Sequence, residues 1–444
     1  MNSYEIVAEA FHAVEPAISC GLAGGFLGTL GFDDSSRLVH GCSGCGFAMR
    51  YGLSQHWKSF IPCPVTSLHE NDVIFGGEKL LKKGIEDVEK IYPSEVLFIL
   101  TSCATEIIGD DIESVVLDEA ERRSKRIVAI DVGGASGDIL DGYNRFLYKT
   151  ISTIYPPLLD ETDGCSSHSR NNPQIDILGI IPFFDMFFRG DMQELKRVFD
   201  AIGIRVNSFF AGQCSIETMR RSLTSDLAVS LNKNIGERAL KIIRRYTNIR
   251  TDSFNVVPIG FEYSRSFFFS VSEMLGLNLR KVSGVLDREE EKARETMIRG
   301  FDFAKVMYNS GRVAIIGETS WVLGLTNFLL NEVGMRSTLI ALTNNATSKD
   351  MSELDRILNV RNNQAKVLIN QDNYLVRKYL SESQPNIVFG RSIDRIKELE
   401  NTVYITWQFP STNRFVLFDR PYLGYRGIGT ILDDIVNGFS SIWY

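Results

Sequence analysis

EVLFILTSCATEIIGDDIESVVLDEAERRSKRIVAIDV, residues 95–132, decides the fold. EVLFIL (95–100) is apolar without alternation, as expected of a strand covered on both faces in a parallel sheet. It runs through the polar turn TSCATE (101–106) into the helical stretch IIGDDIESVVLDEAERRS (107–124), and RIVAIDV (126–132) begins a second strand of the same kind. Strand, loop and helix in this order predict a doubly wound α/β sheet.

The same grammar extends both ways. Upstream, RLVHGCSGCGFAMRYGL (37–53) reads as a short strand, a Gly-Cys loop and a helix carrying Phe47, Met49 and Tyr51. EKLLKKGIEDVEKIY (78–92) places Leu80, Leu81, Ile85 and Val88 at helical spacing. The polar stretch DETDGCSSHSRNNPQ (160–174) marks a boundary, after which IDILGII (175–181) and IRVNSFFA (204–211) supply strands of a second unit. A long charged helix over 285–310 follows, and GRVAIIG (311–317), AKVLIN (365–370), PNIVFG (385–390), VYITW (403–407) and RFVLF (414–418) read as strands of a third. The expectation is α/β throughout: three doubly wound, Rossmann-like domains with mainly parallel sheets, over residues 1–170, 171–310 and 311–444.

A formal charge of −7 argues against non-specific binding to nucleic acid or anionic membranes, which calls for a basic surface. No apolar run approaches the roughly 20 residues that span a bilayer, and the first residues carry no secretory pattern. The cytoplasm is the expected compartment, where seven cysteines point away from a disulfide framework.

Five of those cysteines lie in the first quarter: Cys20, Cys42, Cys45, Cys63 and Cys103. Each sits among Gly, Ser, Thr or Pro, in a turn-like context. Cys103 follows a strand and precedes a helix, the position at which open α/β sheets bind ligands and helix amides stabilise a thiolate. Cys42 and Cys45 form a C-x-x-C; Cys63, between Pro62 and Pro64, is held extended. Zinc fits poorly, since no second C-x-x-C exists, and thiolates donated by loops at one sheet edge suit an iron–sulfur cluster better. Ordinary buried thiols are the competing reading. Cys214 reads as core, and Cys165 and His168 as linker residues. The carboxylates Asp110 and Asp111 read as a helix start. GETSWVLG (317–324) follows a strand as a phosphate loop does, but lacks the Gly-x-Gly spacing of a dinucleotide site.

At HGCSGC (40–45), CPVTSLHENDVIFGG (63–77), TSCATEIIGDD (101–111) and FVLFDRPYLGYRG (415–427) the chain resembles the nitrogenase component 1 family, most closely its β-type subunits. Their pattern runs H-G-S-Q-G-C, a Cys before F-G-G, T-T-C-x-x-E-x-I-G-D-D, and an ending with F-D-R. The resemblance implies an oxidoreductase subunit of three α/β domains that binds an iron–sulfur cluster, P-cluster-like or four-iron four-sulfur, shared with a partner. It implies an α-like component 1 partner in an α2β2 heterotetramer, and an ATP-dependent iron protein as electron donor. Carried over by position, Cys45, Cys63 and Cys103 match cluster thiolates, and Cys20 matches the first cluster cysteine of α-type chains. Cys42 replaces the serine of the β-type motif, and a serine that assists some clusters falls near Ser136 to Asp138. Ser230 stands where α-type chains anchor their substrate-reducing cofactor through Cys, and no His follows His168. The resemblance therefore implies an electron-relaying, β-like subunit; a scaffold for cofactor assembly is the alternative.

Overall fold

The structure, a computed structural model, describes residues 4–6, 15, 19–53, 61–134, 137–161, 172–308, 311–399 and 401–443. Cys165, His168 and Ser136 lie outside them. Strand β1 (Tyr4–Ile6) belongs to the sheet of the C-terminal third. Strands β2 (Ser35–His40), β3 (Val96–Thr101) and β4 (Arg126–Ile130) form a parallel sheet in the order β2-β3-β4. Strands β5 (Gln174–Leu178), β6 (Arg205–Phe209), β7 (Leu227–Ser230) and β8 (Arg250–Ser253) form a second in the order β6-β5-β7-β8. Strands β9 (Arg312–Gly317), β10 (Arg336–Leu342), β11 (Ala365–Ile369), β12 (Ile387–Gly390) and β13 (Val403–Thr406) complete the third, β1-β11-β10-β9-β12-β13, whose pairs are all parallel. Helices follow the strands, so the fold is α/β with mainly parallel sheets.

The three sheets fall into two compact units. One comprises 18–183 and 206–253, the other 1–17, 184–205 and 254–444. In the second unit the long charged helix runs from Leu279 to Tyr308, and a closing helix spans Gly424–Trp443. RFVLF (414–418) departs from expectation. It forms no strand, and Phe415, Leu417 and Phe418 are exposed, because the segment finds no neighbouring strand.

In the first unit, helices α1 (Gly21–Leu30), α2 (Ser43–Leu53), α3 (Glu70–Phe75), α4 (Glu78–Ile91), α5 (Cys103–Ile108), α6 (Ile112–Arg123) and α7 (Ile139–Glu161) surround the first sheet. Strand β3 is buried along its whole length, as its unbroken apolar run requires. Leu81, Ile85 and Val88 of α4 pack with Leu38, Leu97, Ile99, Val115, Val116 and Ile127. Each such side chain contributes about 1.5–3 kcal/mol by leaving water. Helix α1 is buried on nearly every side and packs on α7 through glycine: a Cβ at Gly24 would lie 1.8 Å from the Ile139 carbonyl oxygen, and one at Gly142 1.8 Å from that of Gly21. Close backbone approach is what the glycines of SCGLAGGFLG provide.

Candidate functional site

The first sheet delivers its loops to one place. Strand β2 ends at His40 and leads to Cys42 and Cys45; β3 ends at Thr101 and leads to Cys103; β4 ends at Ile130 and leads to Gly133 and Gly134. These are the carboxyl ends of parallel strands, where such sheets open a crevice. Cys20 immediately precedes α1, in a backbone bridge with Asp138. A Cβ built on Gly134 would stand 2.9 Å from the Cys103 Sγ and 3.4 Å from the Cys20 Cβ, so both cysteines border this one glycine. Cys45 shares their electrostatic neighbourhood: burial raises its thiol pKa above the usual value, and Cys42, Cys103 and Cys20 add to the rise. Cys42 and Cys103 are exposed, Cys20 and Cys45 half-buried.

Cys63 is placed differently. Its loop runs beside β2, with the Val39 N–H donating to the Pro64 carbonyl at 2.9 Å and the Thr66 N–H to the Val39 carbonyl at 3.0 Å. The side chain is buried behind Gly46, where an added Cβ would lie 3.5 Å from its Sγ. Burial pushes this thiol up to about 11, against the pull of the Arg37 and Arg50 guanidinium groups. Cys214 is core: it is 1 % exposed, the Thr218 hydroxyl is 3.5 Å from its Sγ, and burial pushes its thiol up to about 12. Ser230 is fully buried, and its hydroxyl lies 2.7 Å from the Asn232 carbonyl and 2.6 Å from that of Ile235, either of which can accept its one proton, a structural use of the hydroxyl.

Two buried networks tie the cysteine loops together. His40, fully buried, places Nε2 3.3 Å from Asp110 Oδ2 and Nδ1 3.0 Å from the Thr66 hydroxyl. The other Asp110 oxygen accepts the Gly77 N–H at 2.8 Å, and the Gly41 N–H donates to Thr66 Oγ1 at 3.0 Å. Burial lowers the His40 pKa despite Asp110, so the imidazole is neutral near pH 7. A carboxylate only accepts, which assigns the proton to Nε2 and leaves Nδ1 to accept from Thr66. On the other side, Glu106 Oε1 accepts from the Thr101 hydroxyl (3.0 Å) and the Gly133 N–H (2.7 Å), while Thr101 Oγ1 accepts the Val132 N–H (2.8 Å). Asp111 caps α6 by accepting the Ser114 N–H, as a helix-start carboxylate should. Asp110 does more than that, a role its position beside Asp111 does not announce.

GETSWVLG is closed to phosphate. Glu318, fully buried, turns its own carboxylate back to accept the N–H groups of Ser320 and Trp321, filling the anion position at that helix start.

The donor set suits a polynuclear centre. Among the described residues no three His, Cys, Asp or Glu side chains close on a single metal ion. Cys20 and Cys103 instead border Gly134, and Cys45 lies in the loop after β2 at the same edge of the sheet; soft thiolates from separate loops are the donors that iron–sulfur clusters use. Exposed apolar side chains lie on the neighbouring helices. Phe47 and Tyr51 of α2 stack at 5.8 Å, both about two-thirds exposed, and Ile74, Phe75 and Ile107 are exposed on the neighbouring α3 and α5. No described helix is long and apolar enough to cross a membrane.

The comparisons agree with this geometry. The family of nitrogenase component 1 type oxidoreductases matches residues 20–440. The chain is 25% identical to the nitrogenase vanadium-iron protein beta chain of Trichormus variabilis, covering 96% of this chain and 93% of that one. It is also 25% identical to the nitrogenase molybdenum-iron protein beta chain of Methanothermobacter thermautotrophicus, over 96% and 94% of the two chains. A solved structure described as nitrogenase Cp1 at pH 6.5 superimposes with a TM-score of 0.79 at 21% identity, covering 98% of this chain and 95% of the other. With a match over nearly its whole length and β chains as its relatives, this protein belongs to the nitrogenase component 1 type oxidoreductase family, as a β-like subunit.

Proposed function

We propose that the chain holds one side of a P-cluster-type iron–sulfur cluster shared with an α-like partner, and relays electrons to that partner from an ATP-driven iron protein. The reading includes a cytoplasmic α2β2 complex in which the reduction site lies on the partner. The observation that supports it is that Cys20 and Cys103 border Gly134 after β4, with Cys45 in the loop after β2 at the same edge of the first sheet.

A bound cluster supplies reversible electron storage. The residues of this chain do the rest. Cys20, Cys45 and Cys103 donate thiolates from three different loops, so no single loop sets the spacing. Gly134 keeps the floor of the opening clear, since any side chain there would meet Cys103. Thr101 and Glu106 fix the β4 loop that carries Gly134. Phe47, Tyr51 and Ile107 offer an apolar rim that a partner chain would cover, excluding water from the thiolates. Cys63, matched to a ligand by its place in the sequence, is buried behind Gly46; its proposed part is to pack under the Cys45 turn.

Anaerobic purification with the partner, followed by iron and sulfide analysis and electron paramagnetic resonance, tests the reading. Cys103→Ala is expected to lose cluster iron and its redox-active signal while the chain stays folded. Unchanged iron in that variant would refute it.

A further inference from the structure

Cys42 is unused by the relay reading, and its surroundings give it a chemistry of its own. It is exposed and separated from Cys45 by Ser43 and Gly44. The Cys45 N–H donates to the Cys42 carbonyl at 3.1 Å, closing a four-residue turn at the start of α2. The first and fourth Cα atoms of such a turn lie within about 7 Å of each other. That distance overlaps the roughly 4.4–6.8 Å over which two cysteines can be bridged. The turn is free to adjust on its outer side: a Cβ on Gly44 would meet nothing within 4 Å. Its inner side is fixed, because Gly41 lies against Ser102.

We propose that Cys42 and Cys45 form a reversible dithiol–disulfide couple that decides whether Cys45 is available as a ligand. The ligand clause rests on the cluster reading above; the couple itself does not. The exposed Cys42 reacts first. Its thiolate attacks a small-molecule disulfide such as oxidised glutathione, breaking that S–S bond and expelling one thiolate. The Cys45 thiolate then attacks the Cys42 sulfur, forms the internal S–S bond and expels the second. The two protein thiols give up two protons and two electrons, and the external disulfide becomes two thiols. While the bridge stands, Cys45 has no thiolate to donate. A glutathione-type reductant reverses the same steps. Disulfides of reducing compartments are commonly transient and redox-sensing in this way.

The full chain, freed of iron with a chelator under reductant, is equilibrated in glutathione mixtures, alkylated and digested with trypsin. The peptide Leu38–Arg50 holds Cys42 and Cys45 and no other cysteine. It should be doubly alkylated in reduced glutathione, and unalkylated and lighter by two hydrogens in oxidised glutathione. Cys42→Ser should give no internally linked peptide. Two free thiols in oxidised glutathione, or a link from either residue to another peptide, would overturn the proposal. Ferrous iron and sulfide are then offered to both forms. The linked chain should bind several-fold less iron until reduced, and reduced Cys42→Ser should bind as much as the reduced native chain. Equal uptake by linked and reduced chains, or loss of uptake in reduced Cys42→Ser, would overturn the control by this couple. Absence of uptake by the reduced native chain would count against the cluster reading and leave the disulfide mapping to stand or fall alone.

Discussion

Replacing Gly24 with alanine sets two effects of opposite sign against each other. In an isolated helix the change gains about 1 kcal/mol, because alanine orders at less entropic cost than glycine. In α1 the new methyl would lie 1.8 Å from the Ile139 carbonyl oxygen and 2.6 Å from the Tyr143 nitrogen. Both obstacles are backbone atoms of α7, so no rotamer change can make room. The helices must part by roughly 1.5 Å to restore van der Waals separation. Overpacking of a buried site costs about 1–3 kcal/mol, and an immovable obstacle puts this one at the upper end. The net expectation is a loss of about 2 kcal/mol, with α1 shifted and Cys20, at its start, displaced with it. Gly52→Ala is the control: a Cβ there meets nothing within 4 Å, and the variant should gain about 0.5–1 kcal/mol. Urea unfolding of both variants, with hydrogen exchange followed over residues 21–30, separates the outcomes. Gly24→Ala as stable as the native chain, with unchanged exchange in α1, would refute the view that glycine is there for contact.

Asp110→Ala leaves the Gly77 N–H and the His40 imidazole without their shared buried partner, and should cost about 2 kcal/mol in urea unfolding; a change below experimental scatter would show that the network does not hold the loops. Asp191 predicts a pH dependence. Its Oδ1 accepts the N–H groups of Tyr422 and Leu423, and burial pushes its carboxyl up to about 7 from a reference value of 3.8. Between those values the folded chain keeps a proton that the unfolded chain has lost. The stability of this protonated form is therefore complete below the reference value and is lost as pH rises through about 7, by on the order of 4 kcal/mol. Asp191→Asn retains an acceptor and should flatten that part of the stability–pH curve; an unaltered curve would count against it. Alkylation at pH 8 in the folded, iron-free, reduced chain should modify Cys42 and Cys103 long before Cys63 and Cys214, whose buried thiols stay protonated. Cys63→Ser should keep its cluster iron where Cys103→Ala loses it, and loss in both would return Cys63 to the ligand set.

The fold was legible wherever burial left a one-dimensional trace. EVLFIL and GRVAIIG are apolar without interruption because both faces of those strands are covered, and each is a strand in the structure. RFVLF carries the same signal for a different reason: its apolar side chains lie at the surface, and residue type alone does not tell a strand core from an exposed apolar patch. Strand β8, RTDS, had no apolar signal to read, since none of its four residues is fully buried. Strand-end position was legible for Cys45 and Cys103, which follow β2 and β3. The burial of Cys63 was not legible, because its place behind Gly46 depends on a loop running back along β2. Asp110 was hidden similarly: its partners, His40 and Gly77, lie 70 and 33 residues away.

The motif stretches of this chain hold His40, Glu106 and Asp110 beside the cysteines, and the two networks give those three a structural use. A cluster held by thiols from separate loops needs those loops at fixed separations before it binds, because each loop alone is free to move on its strand end. His40 ends the strand that leads into the first cysteine loop, Thr66 and Gly77 belong to the segment after Cys63, and Asp110 follows the helix that Cys103 begins. One neutral imidazole and one buried carboxylate thus join three chain segments, and Glu106 joins the third to the loop carrying Gly134. They fix the Cys45 and Cys103 loops relative to one another. On the proposed cluster reading, a substitution in this frame should therefore weaken iron binding without removing a thiol, and Asp110→Ala distinguishes that from a local defect by losing iron and stability together.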